Sequence, residues 1–128
     1  LLLGCRVLAF DDAGRVLLVR HSYGSGRWLL PGGGIGRGET PLAAALRELA
    51  EEAACALEDP REIAVIEEPL AGTVNRVHIV AGQARGQPHP DGREIIAAAF
   101  FALDDLPADL NGVVERNLRG WVRTAKAG

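Results

Sequence analysis

LPGGGIGRGETPLAAALRELAEEAAC, residues Leu30 to Cys55, carries a helix start and three carboxylates within five residues. Thr40 followed by Pro41 is helix-start chemistry: a hydroxyl that can cap, then a proline where its missing N–H costs nothing. At about 100° per residue, Leu42, Leu46, Leu49 and Ala53 share one narrow stripe, expected to pack on the core. Glu48, Glu51 and Glu52, at i, i+3 and i+4, fall within an arc of roughly 100° away from that stripe. Three carboxylates on one face repel one another, so the face is either a solvated surface or a site for a hard cation such as magnesium or manganese. Immediately before the helix, Gly32-Gly33-Gly34 lets backbone approach a ligand closely and offers it carbonyls or N–H groups.

Outward from this segment, Leu2 to Phe10 and Arg15 to Arg20 are strand-like runs joined by Asp11-Asp12-Ala13-Gly14, which reads as a β-hairpin. From His21 to Gly38 the chain is mostly Gly, Ser and Pro around Trp28-Leu29-Leu30, predicting a brief strand that feeds a long functional loop. Ile63 to Ile66, Val74 to Ala81 and Ile95 to Leu103 read as strands, the last buried on both faces. Gln83 to Arg93, with two prolines and two glycines, reads as a surface loop. Val114, Leu118, Trp121, Val122 and Ala125 recur at helical spacing and predict an amphipathic C-terminal helix covering the sheet.

The 128 residues suffice for one domain burying roughly two-thirds of its unfolded surface. One domain over residues 1–128 is expected, and 48% hydrophobic content excludes disorder as the main state. The longest apolar stretch, Ile95 to Leu103, has nine residues against the roughly 18 to 20 that cross a bilayer. A net charge of −3 without a basic block argues against a nucleic-acid polymer as partner. Thirteen of the 14 basic residues are arginine, which suits phosphate but also follows from codon bias. Cys5 and Cys55 lie far apart with no ligand-spaced neighbour, which excludes a disulfide framework and fits a reducing cytoplasm. The chain starts Leu1-Leu2-Leu3 and contains no Met, so a missing or removed initiator is expected; the start is too short before Arg6 for a secretory signal.

Gly33, five residues, Glu39, seven residues and then Arg47-Glu48-Leu49-Ala50-Glu51-Glu52-Ala53-Ala54-Cys55 resembles the Nudix box of the Nudix hydrolases, or MutT-like proteins. Trp28-Leu29-Leu30-Pro31-Gly32-Gly33 is similar to the family's usual lead-in, and the element order resembles the family's from Leu2 to Trp121. The resemblance implies an α/β fold, an α/β/α sandwich with a mixed sheet, and hydrolysis of a pyrophosphate bond in a nucleoside diphosphate linked to another group. An acidic face accepts such an anion when divalent cations, Mg2+ or Mn2+, bridge the two and supply activated water.

Residue by residue, the resemblance implies Glu48, Glu51 and Glu52 as metal ligands with a backbone carbonyl at Gly32 or Gly33. It leaves the base open between Glu48 and a downstream carboxylate, Glu94 before Asp91, either of which can equally be a solvated loop end. Glu39 and Arg47 resemble the family's structural ion pair pinning the glycine loop. Arg27, Arg20, Arg6 and Arg76 are the arginines that could reach phosphates, and Tyr23 is the aromatic most free to stack on a base. His21, His78 and His89 lack partners at meaningful spacing and read as surface or packing residues, and both cysteines as inert. Where the family has glycine near the helix end this chain has Ala54, which predicts that the helix runs on through it with right-handed dihedrals. The alternative to an enzyme is an inactive sensor module of the same fold, and many relatives dimerise, so a homodimer is a further expectation. The family's substrate markers stay open: Pro69 stands fourteen residues beyond Cys55, one short of the position seen in ADP-ribose enzymes, and Leu70 to Thr73 contains no tyrosine.

Overall fold

The computed structural model describes residues 1–127. Strands β1 (Leu2–Phe10) and β2 (Val16–His21) form the expected hairpin, Phe10 opposite Val16. The Asp11 carboxylate shapes its turn, accepting from the Ala13 and Arg15 amides at 3.0 and 2.8 Å. Beyond the turn the two strands diverge, and the segment after Arg27 enters the fork. Leu29 exchanges both backbone hydrogen bonds with Val19, the Val7 amide donates to the Pro31 carbonyl at 2.8 Å, and β3 (Gly32–Gly34) pairs with Gly4 to Arg6. The short strand is therefore the glycine run itself, while Trp28 and Leu29 contribute isolated bridges instead of the strand expected there. Glycine is required at Gly32, since a Cβ would run into the Cys5 carbonyl and lie 2.9 Å from the Arg6 Cα.

Helix α1 (Pro41–Ala53) starts where expected, the Thr40 hydroxyl accepting from the Ala43 amide at 3.1 Å. The strands β4 (Ala56–Leu70), β5 (Thr73–Arg85) and β6 (Ile95–Phe101) and the helix α2 (Gly112–Ala127) complete the chain. The sheet runs β4-β5-β1-β2-β6, with β5 parallel to β1 and the other pairs antiparallel. Period-two alternation along β1 sends Val7 and Ala9 to a core under α1, with Leu17, Leu49 and Val80, and sends Leu8 and Phe10 to a core under α2, with Ile79, Leu118 and Trp121. This is the expected α/β/α sandwich around a mixed sheet. All five residues of the predicted α2 stripe are buried. Among the described residues, no helix is long and apolar enough to cross a membrane.

Four further expectations need correction. Leu46 is 41% exposed and Ala45 is buried instead, because α1 is rolled to bring Glu52 inward alongside Leu49 and Ala53. β6 is an edge strand, paired with β2 alone, and Ile96 is 50% exposed. β4 and β5 extend well past the apolar runs, so Gln83 to Arg85 pair with Ala56 to Glu58 instead of forming a loop. An edge strand tolerates the Pro60 and Pro69 that interrupt the pattern, with register shifts after Glu58 and Glu62.

The fourth is Ala54, which adopts the left-handed conformation with φ 58° and ψ 30°. Tertiary contacts override its preference: Cys55 must turn inward to be buried before β4, and the Ala53 carbonyl accepts from the His89 amide at 2.8 Å. A Cβ in that conformation costs about 1 kcal/mol. Ala54→Gly is therefore expected to raise stability by about 1 kcal/mol in chemical denaturation; an unchanged or lower midpoint would show the position to be unstrained.

Candidate active site

The roll of α1 places Glu52 against β3. Its side chain is 7% exposed, and its Oε1 accepts from the Gly32 amide at 3.4 Å. Glu48, one turn earlier, lies against Gly33, where a Cβ would meet Glu48 Oε1 at 2.7 Å. Burial, and then the adjacent Glu48 carboxylate, push Glu52 up to about 8. Two carboxylates pressed together on a backbone strand form a hard oxygen donor set, and a divalent cation would relieve the repulsion that a shared proton otherwise relieves. The residues present therefore fit such an ion. Among the described residues, no three His, Cys, Asp or Glu side chains converge around one point, because Glu51 stands 60% exposed.

Arg47 ties the parts together. Its Nε and Nη2 donate to the two oxygens of Glu39 at 2.8 and 2.9 Å, and Nη2 also donates to the Gly34 carbonyl at 3.0 Å. Its Nη1 donates to Glu48 at 2.8 Å and to Glu51 at 3.3 Å. Glu39 in turn accepts from the Gly36 amide at 2.8 Å. The two-point contact with Arg47, followed by the Gly36 amide, holds Glu39 down to about 2. The expected ion pair thus pins the glycine loop and also reaches two of the three helix carboxylates.

Beside Gly32 and Gly33 opens a cleft of about 240 Å³ lined by Arg6, His21, Tyr23, Arg27 and Asn111. The His21 and Tyr23 rings lie 4.9 Å apart. Burial, then the Arg6 charge, lowers the His21 pKa; burial, then Glu94 and Glu52, raises that of the Tyr23 phenol. The charge on Glu94 is thus felt at this cleft. Its main-chain carbonyl accepts from the Ser22 amide at 2.8 Å, and among the described residues its carboxylate has no hydrogen-bond partner. Asp91 is engaged in shaping its own turn, accepting from the Arg93 and Ile95 amides at 2.8 Å each.

The other sequence-stated candidates separate cleanly. Arg20 does not line the cleft; its Nε donates to the Gly26 carbonyl at 2.8 Å and its guanidinium lies over Trp28, so it holds the loop. Arg76 pairs with Glu67 at 3.0 Å and His78 with Glu62 at 2.7 Å, both on the sheet surface. His89 serves through its backbone. Cys5 and Cys55 are free, buried and raised in pKa by that burial. His21, expected as a surface or packing residue, is part of the cleft wall. Asn111 was not singled out from the sequence. Its Oδ1 caps α2, accepting from the Val113 and Val114 amides at 3.0 and 3.2 Å, and an Asn three residues before a helical stripe was the available signal.

Comparison with known proteins agrees with this geometry. The NUDIX domain family matches residues 2–121. A Mycobacterium tuberculosis protein, provisionally named 8-oxo-dGTP diphosphatase 2, is 35% identical over 125 residues, covering 93% of this chain and 78% of the relative. The crystal structure of a MutT NUDIX hydrolase from Burkholderia pseudomallei superposes with a TM-score of 0.81 at 29% identity, over 96% of each chain. That of a MutT protein from Methanosarcina mazei gives 0.73 at 21% identity, over 98% of this chain and 94% of that one, a likeness of fold. Box, fold and cleft together place this chain in the NUDIX family, as a pyrophosphohydrolase.

Proposed function

We propose that the protein is a divalent-metal-dependent enzyme that hydrolyses nucleoside triphosphates, with oxidised purine nucleotides of the 8-oxo-dGTP kind as the leading class. The observation that carries the metal dependence is the buried Glu52 carboxylate held on the Gly32 amide beside Glu48. The substrate class comes from the relative named for 8-oxo-dGTP, which spans most of the chain. Glu48, Glu51 and Glu52, with the Gly33 carbonyl, would hold Mg2+ or Mn2+. The ion supplies charge neutralisation of the phosphates and a water acidic enough to attack near neutral pH.

The chain's own residues bind and orient. Arg27 and Tyr23 stand at the exposed lip of the cleft, where a guanidinium can meet phosphate oxygens and a ring can stack on a base. Arg47 holds Glu48 beside the glycine strand, reaches the exposed Glu51, and does not line the cleft. Glu94 is assigned as general base or further ligand, its carboxylate being unengaged where Asp91 is committed to a turn. The activity resides in one domain over residues 1–128, and the two free thiols suit a reducing cytoplasm.

Product release from ADP-ribose, dNTPs with their oxidised forms, nucleotide sugars and dinucleoside polyphosphates, each with and without magnesium, tests the reading. Turnover of the oxidised dNTPs that needs metal is expected. Tight metal-dependent nucleotide binding without turnover would instead identify a sensor module. Gly33→Ala is expected to lower turnover about 100-fold while barely moving the melting temperature, because the new methyl displaces the flexible Glu48 carboxylate and not backbone. Full activity in that variant would remove Glu48 from the site.

A further inference from the structure

The lip of the cleft follows β2 and the turn bearing Glu94 precedes β6, and the two meet where the ladder between these strands is irregular. From Val16 opposite Phe101 to Arg20 opposite Ala97 the register is continuous, and it then slips so that His21 faces Ile95. Ile96 is left over as a bulge and is 50% exposed. Without the extra residue Ser22 would meet Ile95; with it, Ser22 meets Glu94.

Four hydrogen bonds then fix the main chain around Glu94 from both sides. The Ser22 amide donates to the Glu94 carbonyl at 2.8 Å, and the Ser22 hydroxyl donates to the Arg93 carbonyl at 2.9 Å. From the other side, Asp91 Oδ1 accepts from the Arg93 and Ile95 amides at 2.8 Å each. The Gly92 amide closes the turn on the Ile95 carbonyl at 3.0 Å, and the Ile95 side chain is fully buried. By contrast, among the described residues the Glu94 carboxylate makes no hydrogen bond. The backbone is thus locked beneath a carboxylate that is left for a partner the fold itself does not supply. The same bonds would serve an ordinary strand start, so what separates the two roles is whether they act through Glu94.

We propose that Ser22 and Asp91 are positioning residues that hold Glu94 at the cleft and couple it to the lip. The proposal rests on the assignment of Glu94 as base or further ligand. Ser22 belongs to both segments, since it bonds the Glu94 turn and directly precedes Tyr23, which is 61% exposed at the lip. Burial and then the Glu94 charge push the Tyr23 phenol up, so the two side chains share one neighbourhood. A nucleotide that draws Tyr23 and Arg27 inward pulls on Ser22, and through it on the Glu94 main chain. The carboxylate is brought into register when the lip is occupied.

The test is a set of double-mutant cycles on kcat and KM with magnesium and the best substrate of the panel above. Ser22→Ala is expected to lower kcat about tenfold and Asp91→Ala about 100-fold, with KM changed less than about twofold. Ser22→Thr and Asp91→Asn keep a hydroxyl and a carbonyl oxygen in place and are expected to recover most of the loss. In a Glu94→Gln background, itself slow, neither alanine lowers kcat further, because the group they position is gone. Losses that multiply in that background overturn the positioning role, as does a wild-type kcat in both alanine variants. A wild-type kcat in Glu94→Gln alone shows instead that the assignment of Glu94 fails. Hydrogen exchange needs no turnover: an unhydrolysable dGTP analogue with magnesium is expected to protect the amides of residues 23–27 and 93–96 in the wild type, and only the former in Ser22→Ala. Protection at residues 93–96 in both proteins, or in neither, overturns the coupling. If Asp91→Ala does not fold, Ser22→Ala at its exposed position decides alone.

Discussion

Glu52→Gln is expected to lower metal-dependent turnover about a thousandfold or more and, in the metal-free protein at pH 7.5, to raise the melting temperature. Burial and the Glu48 carboxylate lift the folded-state pKa of Glu52 to about 8, above the 4.5 of an ordinary glutamate. Between those two values the unfolded chain releases the Glu52 proton and the folded protein retains it, so stability falls as pH rises from about 4.5 to 8. A glutamine, neutral throughout, escapes that loss and can donate its amide to Glu48. The gain is on the order of 1–3 kcal/mol at pH 7.5, a rise of roughly 5–10 °C, and it vanishes towards pH 4.5. Added Mg2+ is expected to raise the melting temperature of the wild type by mass action and to do so far less in the variant. Melting curves from pH 4 to 8 with chelator and with metal check all three statements. Equal stability of the two proteins at pH 7.5 would show that Glu52 is not pressed against Glu48, and undiminished turnover would remove it from the chemistry.

Arg47→Ala is expected to lower both stability and rate, the rate by about 100-fold. The substitution removes the donors to Glu39, Glu48, Glu51 and the Gly34 carbonyl together. It leaves four carboxylates, Glu52 included, around one helix face without their cation. Because Glu39 is held down to about 2, its contact with Arg47 stabilises the fold above about pH 4.5 and is lost as pH falls from there towards 2. The difference in melting temperature between wild type and variant should accordingly shrink below pH 4.5. Arg47→Lys should recover little, since an ammonium cannot make the two-point contact with Glu39 and reach Glu48 as well. A rate loss at unchanged stability would instead mean that Arg47 contacts substrate.

What could be read from residue order alone followed the range of the interactions involved. Thr40-Pro41, the Asp11 turn and the α2 stripe are local devices, decided within one or two turns of chain, and each stands as expected. The box carboxylates were legible for the same reason, being spaced on one helix. Ala54 was not, because its left-handed conformation is imposed by the burial of Cys55 and a hydrogen bond from His89, 35 residues away. Leu46 and Ala45 exchanged places because periodicity gives the width of a helical stripe but not the roll of the helix against a neighbour. Of the cleft, Arg6, Arg27 and Tyr23 were named from the sequence. Arg6, His21 and Asn111 converge there from three separate elements, and no spacing along the chain encodes that convergence.

The fork in the β1–β2 hairpin has a consequence for how the site comes apart. Its glycine strand is bonded to β1 on one side, and the residues leading into it are bonded to Val19 of β2. Freeing the Gly33 backbone therefore means breaking the pairing of β3 with β1, so slow amide exchange is expected there, while the Gly32 amide is held by the Glu52 carboxylate. The carboxylates approach it from a helix that could fray or shift, whereas their platform is tied into the fork of the hairpin. The exposed Tyr23 to Arg27 lip is thus free to move during a catalytic cycle over a glycine strand that behaves as a fixed anvil.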